Sequence, residues 1–293
     1  MIRGALLLTL ATLLWSGNYI AGRMLAPAMP AFLLNGVRWT VSAALLLLLM
    51  SASGKRVPYR ARWRELLLLG FIGMFVFSTL TYLGLHTVPA AQAGMISGAI
   101  PAGILLLSVL LLHERPSPLA WSGMALSILG VAVLVGAGHT GHFAFSIGDV
   151  ELIAAALAWG FYTVLGKRFS HSMDALTMTA GAALFGAIPS LAAGLLLTPL
   201  SAVHMTPAAW AALLYVSTAA SVIAYFVWTA GVNLTGASRS APFINLLPVW
   251  TVVLGFLLLG ERLTLSEYLG GAIIVAGALL ASARKNPVRK NQA

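Results

Sequence analysis

The stretch from Pro101 to Glu114 is spelled a second time from Pro248 to Glu261. Each copy starts at a proline and crosses an apolar segment of helix length. The first ends in His113-Glu114-Arg115 and the second in Gly260-Glu261-Arg262. The offset is 147 residues and persists on both sides, with Gly84 matching Gly231, Gly123 matching Gly270 and Gly130 matching Gly277. A constant offset near half of a 293-residue chain requires two tandem copies of one unit. The first helix of each copy matches at 144 residues, with Trp15, Gly22 and Arg23 against Trp159, Gly166 and Lys167. A three-residue indel therefore falls between the first and third segments, and the second segment diverges too far to align. The expected units are 1–140 and 141–285, followed by a basic tail at 286–293.

Composition decides the solvent. Hydrophobic residues make up 60% of the chain and charged residues 8%, against roughly 25% charge in a soluble domain. Such a chain has too little polar surface to face water and belongs in a bilayer. A span needs about 20 apolar residues. Ten segments qualify, at about 3–26, 31–51, 65–85, 88–112, 118–137, 148–168, 173–197, 206–231, 237–259 and 265–283. Caps mark equivalent helix starts in the two units: Ser117 precedes Pro118, and Thr264 and Glu267 have capping-box spacing. The first segment follows Met1-Ile-Arg3-Gly, continues past the length of a signal-peptide core and reads as the first span. Five spans per unit is an odd number, so the copies must point opposite ways. The expected fold is all-α and membrane-embedded, ten transmembrane helices in two inverted five-helix repeats, an arrangement found in secondary transporters.

The net charge of +10 has a topological reading rather than a nucleic-acid one. With ten spans, all but three of the 17 Lys and Arg residues fall on one side. The exceptions are Arg23 and Arg262 on the other side and Arg38 within a span. The positive-inside rule then places both termini in the cytoplasm. There is no cysteine, which excludes disulfides, thiolate zinc sites and redox dithiols.

No metalloprotease helix, phosphate-binding glycine loop or nucleophile elbow is present. The six histidines fall in loops or at span ends, and His139 with His142 reads as a solvated loop. No metal site and no cofactor is expected. The seven acids also lie away from the predicted midplane, where proton or sodium relays place a carboxylate. This points to facilitated passage or exchange, with coupling through a helix-end acid left open. An enzyme would need clustered His, Asp or Glu at the membrane surface, and none is found. Glu114 and Glu261 read as structural groups that accept hydrogen bonds from backbone N–H groups of the next helix.

The spans hold neutral polar and aromatic residues instead. Trp15, Asn18, Tyr19 and Gly22 share one helical face, and Trp159, Tyr162, Thr163 and Gly166 form its counterpart. They line a central cavity or pack helices against one another. Ser78 and Tyr82 in the third span, and Ser217, Ser221, Tyr225 and Trp228 in the eighth, have the same two readings. Gln92 and Asn245 precede Pro101 and Pro248, each of which leaves a carbonyl one turn earlier without its helical partner. Arg38 is the one full charge inside a span. It snorkels outward, makes a structural hydrogen bond, or provides a fixed positive charge for a substrate carboxylate. The candidate substrate-binding set is Trp15, Asn18, Tyr19, Arg38, Ser78, Tyr82, Gln92, Trp159, Tyr162, Trp228 and Asn245.

Trp15, Pro101, Glu114, Gly123, Gly130, Pro248, Gly260, Glu261, Gly270 and Gly277, with an arginine in the second span, make the chain resemble the EamA branch of the drug/metabolite transporter superfamily. The first copy departs from the pattern with His113 where the second has Gly260. The resemblance implies a bacterial inner-membrane exporter of small metabolites working by alternating access. The aromatic, mostly uncharged interior fits amino acids with apolar or aromatic side chains, as in bacterial amino-acid exporters. Another metabolite or drug, or a channel, stands as the alternative. The expected partners are a small-molecule substrate and the lipid bilayer, with no nucleic acid. One chain already holds the two halves a transporter needs, which allows a monomer.

Overall fold

A computed structural model describes residues 2–54, 56–113, 116–137, 146–169, 173–235 and 241–282. The expectations for Glu114, Arg115, His139, His142, His171, Arg239 and the basic tail fall outside these residues. The described residues form helices and no strand. In chain order these are α1 (Ile2–Leu25), α2 (Ala31–Ala52), α3 (Tyr59–Leu69), α4 (Phe77–Thr87), α5 (Ala90–Ser97), α6 (Ile100–Leu112), α7 (Pro118–Ala137), α8 (Ile147–Phe169), α9 (Ala175–Leu197), α10 (Pro207–Thr218), α11 (Ala224–Thr235), α12 (Leu246–Leu254) and α13 (Leu265–Ser282). Several are pieces of one longer rod. Seven runs are long and apolar enough to cross a membrane, from Ile2–Leu25 through Tyr59–Thr87 to Pro207–Trp228. Three shorter apolar helices, Pro118–Leu134, Phe243–Leu259 and Leu265–Leu280, accompany them.

The interruptions follow the 147-residue offset. A π-helical segment, Gly70–Val76, joins α3 to α4, and another, Ala219–Ile223, joins α10 to α11. Both end at equivalent positions, Val76 and Ile223. A π turn displaces carbonyls from the regular ladder, and serines take them up. Ser221 Oγ donates to Val216 O at 2.7 Å, and Ser78 Oγ sits 3.5 Å from Gly73 O. The fourth rod breaks at Gly98 and Ala99, between α5 and α6. The run Phe243–Leu259 changes at Asn245, where the 3-10 turn Ala241–Asn245 gives way to α12. Gly98 and Asn245 are equivalent, each three residues before a proline that cannot donate to the preceding turn.

Helix starts carry the expected caps. Ser117 Oγ accepts from Ala120 N at 3.2 Å. Glu267 Oε2 accepts from Thr264 N at 2.6 Å, while Thr264 Oγ1 accepts from Glu267 N at 3.3 Å, a reciprocal box.

Close packing relies on absent side chains. The helices α7 and α13 lie against each other, and a Cβ on Gly277 would come within 2.5 Å of Ser127 N. One on Gly130 would lie 2.6 Å from Ile274 N, and one on Gly270 would lie 2.5 Å from Leu134 N. Contacts climbing one helix descend the other, so the pair is antiparallel. Ser127 Oγ donates to Ile274 O at 3.2 Å across 147 residues of sequence. The helices α2 and α9 form a second extensive pair, with Gly36 against the backbone of Ser190 and Leu191. Further pairs are α1 with α11 and α4 with α8. Buried apolar side chains form two clusters, one containing Tyr19, Leu34, Tyr82 and Ile274, the other Trp39, Leu46, Met74 and Tyr162.

Candidate functional site

The polar face of α2 runs between these clusters. Asn35, Arg38 and Ser42 are spaced three and four residues apart, so they share one side of the helix, and all three are buried. Each engages a neighbouring rod. Asn35 Nδ2 donates to Met74 O at 2.9 Å, inside the first π segment, and lies 3.0 Å from Thr79 Oγ1 and 3.1 Å from Ser190 Oγ. Ser42 Oγ lies 2.9 Å from Ser217 O, beside the second π segment. Arg38, between them, donates from Nε to Ser221 Oγ at 2.9 Å and from Nη1 to Tyr82 Oη at 2.8 Å. The phenol passes the interaction on, donating to Asn18 Oδ1 at 3.0 Å. Trp39 Nε1 donates to Ser78 Oγ at 3.1 Å.

A buried guanidinium in a membrane span is unfavourable by about 3 kcal/mol on insertion scales. Here two neutral acceptors and two aromatic faces offset it: the Arg38 carbon lies 4.8 Å from the Trp39 ring centre and 5.5 Å from that of Tyr82. Arg38 is only 7% exposed, so it does not snorkel to the surface. Among the described residues no carboxylate pairs with it, and its Nη2 has no hydrogen-bond partner. A guanidinium carries five N–H donors. Nη2 and the second Nη1 proton are therefore donors that the hydrogen bonds to Ser221 and Tyr82 leave unused.

Aromatic residues close in from two sides. The Trp15 ring lies 5.5 Å from Tyr225 and 5.3 Å from Trp228, which joins α1 to α11. Trp159 lies 4.7 Å from Phe77 and 5.1 Å from Tyr162, which joins α8 to α4. Tyr19 and Ser97 line one small cavity, which brings the break between α5 and α6 to the same region. Tyr19, Tyr82 and Tyr225 all lie within electrostatic reach of Arg38. Gly22 makes room, since a Cβ there would sit 3.0 Å from the Tyr82 ring.

Of the expected residues, the fold gathers Asn18, Arg38 and Tyr82 into one hydrogen-bonded group with Ser221, and Ser78 bonds Trp39, whose ring lies against Arg38. The fold places Tyr19 beside that group, with Trp15 and Trp228 in one aromatic cluster and Trp159 and Tyr162 in the other. Gln92 is tied elsewhere: its Nε2 donates to Asp149 Oδ1 at 2.9 Å, while Oδ2 accepts from Ser146 N at 3.0 Å. It links α5 to the capped start of α8. Asn245 is buried, and its Nδ2 has no partner among the described residues. Asn35 and Trp39 were not singled out from sequence. The spacing of Asn35, Arg38 and Ser42 is the signal that would have found the polar face.

Glu261 is structural, as expected, but its partners are different. Its Oε1 accepts from Ala90 N and its Oε2 from Ala91 N, each at 2.8 Å. The carboxylate thus closes the N-terminus of α5 in the first half of the chain, rather than the helix that follows it. Arg23 does the complementary task, donating to the Leu85 and His86 carbonyls at 2.7 and 2.8 Å at the end of α4.

The sequence profile of the EamA-like transporter family matches residues 2–136 and 146–283. A solved crystal structure superposes with a TM-score of 0.67 at 24% identity, covering 95% of this chain and 96% of that one, which establishes the fold. An uncharacterized transporter of Archaeoglobus fulgidus is 28% identical over 96% of this chain and 98% of its own. A probable terminal-alkyne amino-acid exporter of Streptantibioticus cattleyicolor is 27% identical over 96% of this chain and 93% of its own. A probable amino-acid metabolite efflux pump of Escherichia coli is 26% identical over 94% and 93%. Matched along both halves by the family profile and along nearly its whole length by these relatives, the chain belongs to the EamA-like transporter family.

Proposed function

We propose that the protein exports amino acids with apolar or aromatic side chains across the bacterial inner membrane by alternating access, with Arg38 holding the substrate carboxylate. The observation that carries the reading is the Arg38 fork, buried at the meeting of α1, α2, α4 and the second π segment, with no carboxylate partner among the described residues. A carboxylate matches that fork with two parallel hydrogen bonds. Trp15, Trp228, Tyr225, Trp159 and Tyr162 provide faces for an apolar side chain, and aromatic faces also attract an ammonium group. The names of the amino-acid exporter and metabolite efflux pump among the relatives support the same substrate class.

The architecture we infer is ten spans in two inverted five-helix repeats, residues 1–140 and 141–285, with both termini cytoplasmic. Paired π segments, paired breaks at Gly98 and Asn245, and the antiparallel α7 and α13 support it. Substrate would sit between the repeats, and rocking of one against the other would switch access.

Efflux from proteoliposomes tests the substrate claim. Leucine and phenylalanine should show saturable flux and counterflow, while their amides, which lack the carboxylate, should not. Absence of flux for every amino acid, with intact protein, would sink the claim. Flux without saturation or counterflow would indicate a channel instead.

A further inference from the structure

At the basic end of the bundle a groove of about 420 Å³ opens between the end of α2, the loop after it, and α9. Its floor is apolar, with Met50 buried and Leu47 and Leu184 partly so. Its lip is polar and exposed: Ser51, Arg56 and Tyr59.

Val57 anchors the lip. It is buried, and it packs where α9 carries Gly181, whose missing Cβ would lie 3.1 Å from the valine. Arg62 departs from helical geometry, at φ −126° and ψ 20°, so the turn carrying Tyr59 and Arg60 leans away from the rest of α3. Arg62 pairs with Glu65 at 3.0 Å, which spends the nearby acid. Among the described residues, Arg56, Arg60 and Arg64 form no ion pair and no acid lines the groove. Tyr59 and Trp63 are half-exposed aromatics beside these cations, an arrangement suited to the headgroup level of a bilayer.

We propose that this groove seats one anionic phospholipid, its phosphate held at Arg56 with the Ser51 and Tyr59 hydroxyls, and its first acyl carbons on Leu47 and Leu184. The charge complementarity is one-sided: a basic lip over an apolar floor, reached from the leaflet that this end of the bundle faces. A zwitterionic lipid would set its own cation against Arg56. The site is separate from the Arg38 cluster, and its occupancy does not depend on what is transported.

Native mass spectrometry of the detergent-purified full chain, titrated with phosphatidylglycerol and with phosphatidylcholine, tests this. Phosphatidylglycerol should be retained as a one-to-one adduct at least fivefold more tightly, the order expected for one basic contact near a membrane surface (~1 kcal/mol). Arg56→Gln should abolish that preference. Arg64→Gln removes the same charge outside the groove and should change binding by less than twofold. Leu184→Trp, which fills the floor, should weaken both lipids. Glycerol phosphate alone should not compete at equal concentration. Equal retention of the two lipids, equal effects of Arg56→Gln and Arg64→Gln, or effective competition by glycerol phosphate would overturn the proposal.

Discussion

His113 and Gly260 adopt the same left-handed backbone conformation, at φ 54° and 66°, 147 residues apart. Each ends an apolar helix and turns the chain toward the next. Glycine takes this conformation freely, whereas a residue with a Cβ is disfavoured by roughly 1–2 kcal/mol. His113→Gly should therefore stabilise the protein by about 0.5–1 kcal/mol after the added freedom of the unfolded glycine is set against it. Gly260→Ala should destabilise it by about 1 kcal/mol or more. Thermal unfolding in one detergent at one scan rate checks both signs.

Arg38 has two roles that substitution can separate, charge and shape. Arg38→Lys keeps the cation and loses the fork. It should raise the KM for amino-acid efflux at least tenfold, and Arg38→Gln should abolish saturable efflux. Tyr82→Phe removes the hydroxyl that links Arg38 Nη1 to Asn18 Oδ1. It should destabilise the fold by about 1–3 kcal/mol and weaken transport less than either change at Arg38. Efflux kinetics in proteoliposomes, read with unfolding curves, distinguish the cases.

Glu261→Gln removes a charge that accepts two backbone hydrogen bonds at the start of α5. The expected loss is about 1–3 kcal/mol. Gly255 lies against the same carboxylate, where a Cβ would sit 2.8 Å from Oε2. Gly255→Ala should displace the cap, and the double variant should be less destabilised than the sum of the two single variants, as expected when both act through one contact. A double-mutant cycle measured by thermal unfolding tests this.

Gly22 and Gly166 match in sequence and differ in surroundings. A Cβ at Gly22 would meet Leu85 at 2.7 Å and the Tyr82 ring at 3.0 Å, whereas one at Gly166 would meet, among the described residues, only the Met178 methyl, at 3.7 Å. Gly22→Ala should lower stability by about 1–3 kcal/mol and reduce efflux by shifting Tyr82. Gly166→Ala should be neutral or stabilising by up to ~1 kcal/mol, because alanine suits a helix interior. Unfolding and efflux measured side by side check the contrast.

The repeat positions were legible in the sequence because prolines and glycines act locally. Pro101 and Pro248 disrupt their own helices, and the breaks at Gly98 and Asn245 follow within one turn. The caps at Ser117 and Thr264 are likewise local. The polar group around Arg38 was legible in its members but not in its connections. Its bonds cross 44 residues to Tyr82 and 183 to Ser221, and no spacing rule reaches that far. The second span could not be aligned between the repeats, so Asn35 and Trp39 had no counterpart to draw attention to them. Gln92 was read against the carbonyl freed ahead of Pro101, and only the fold shows the buried Asp149 beside it.

The Glu261 cap also fixes an order of events during synthesis. Ala90 is made 171 residues before the carboxylate that binds it. At 5–20 residues per second, the ribosome needs roughly 9–34 s to cover that distance. For that interval the start of α5 must leave its N–H groups to water or to a substitute acceptor, while the later apolar segments are still being made. A nascent chain stalled before residue 261 would present that unfinished helix end, with the Ala90 and Ala91 N–H groups uncapped.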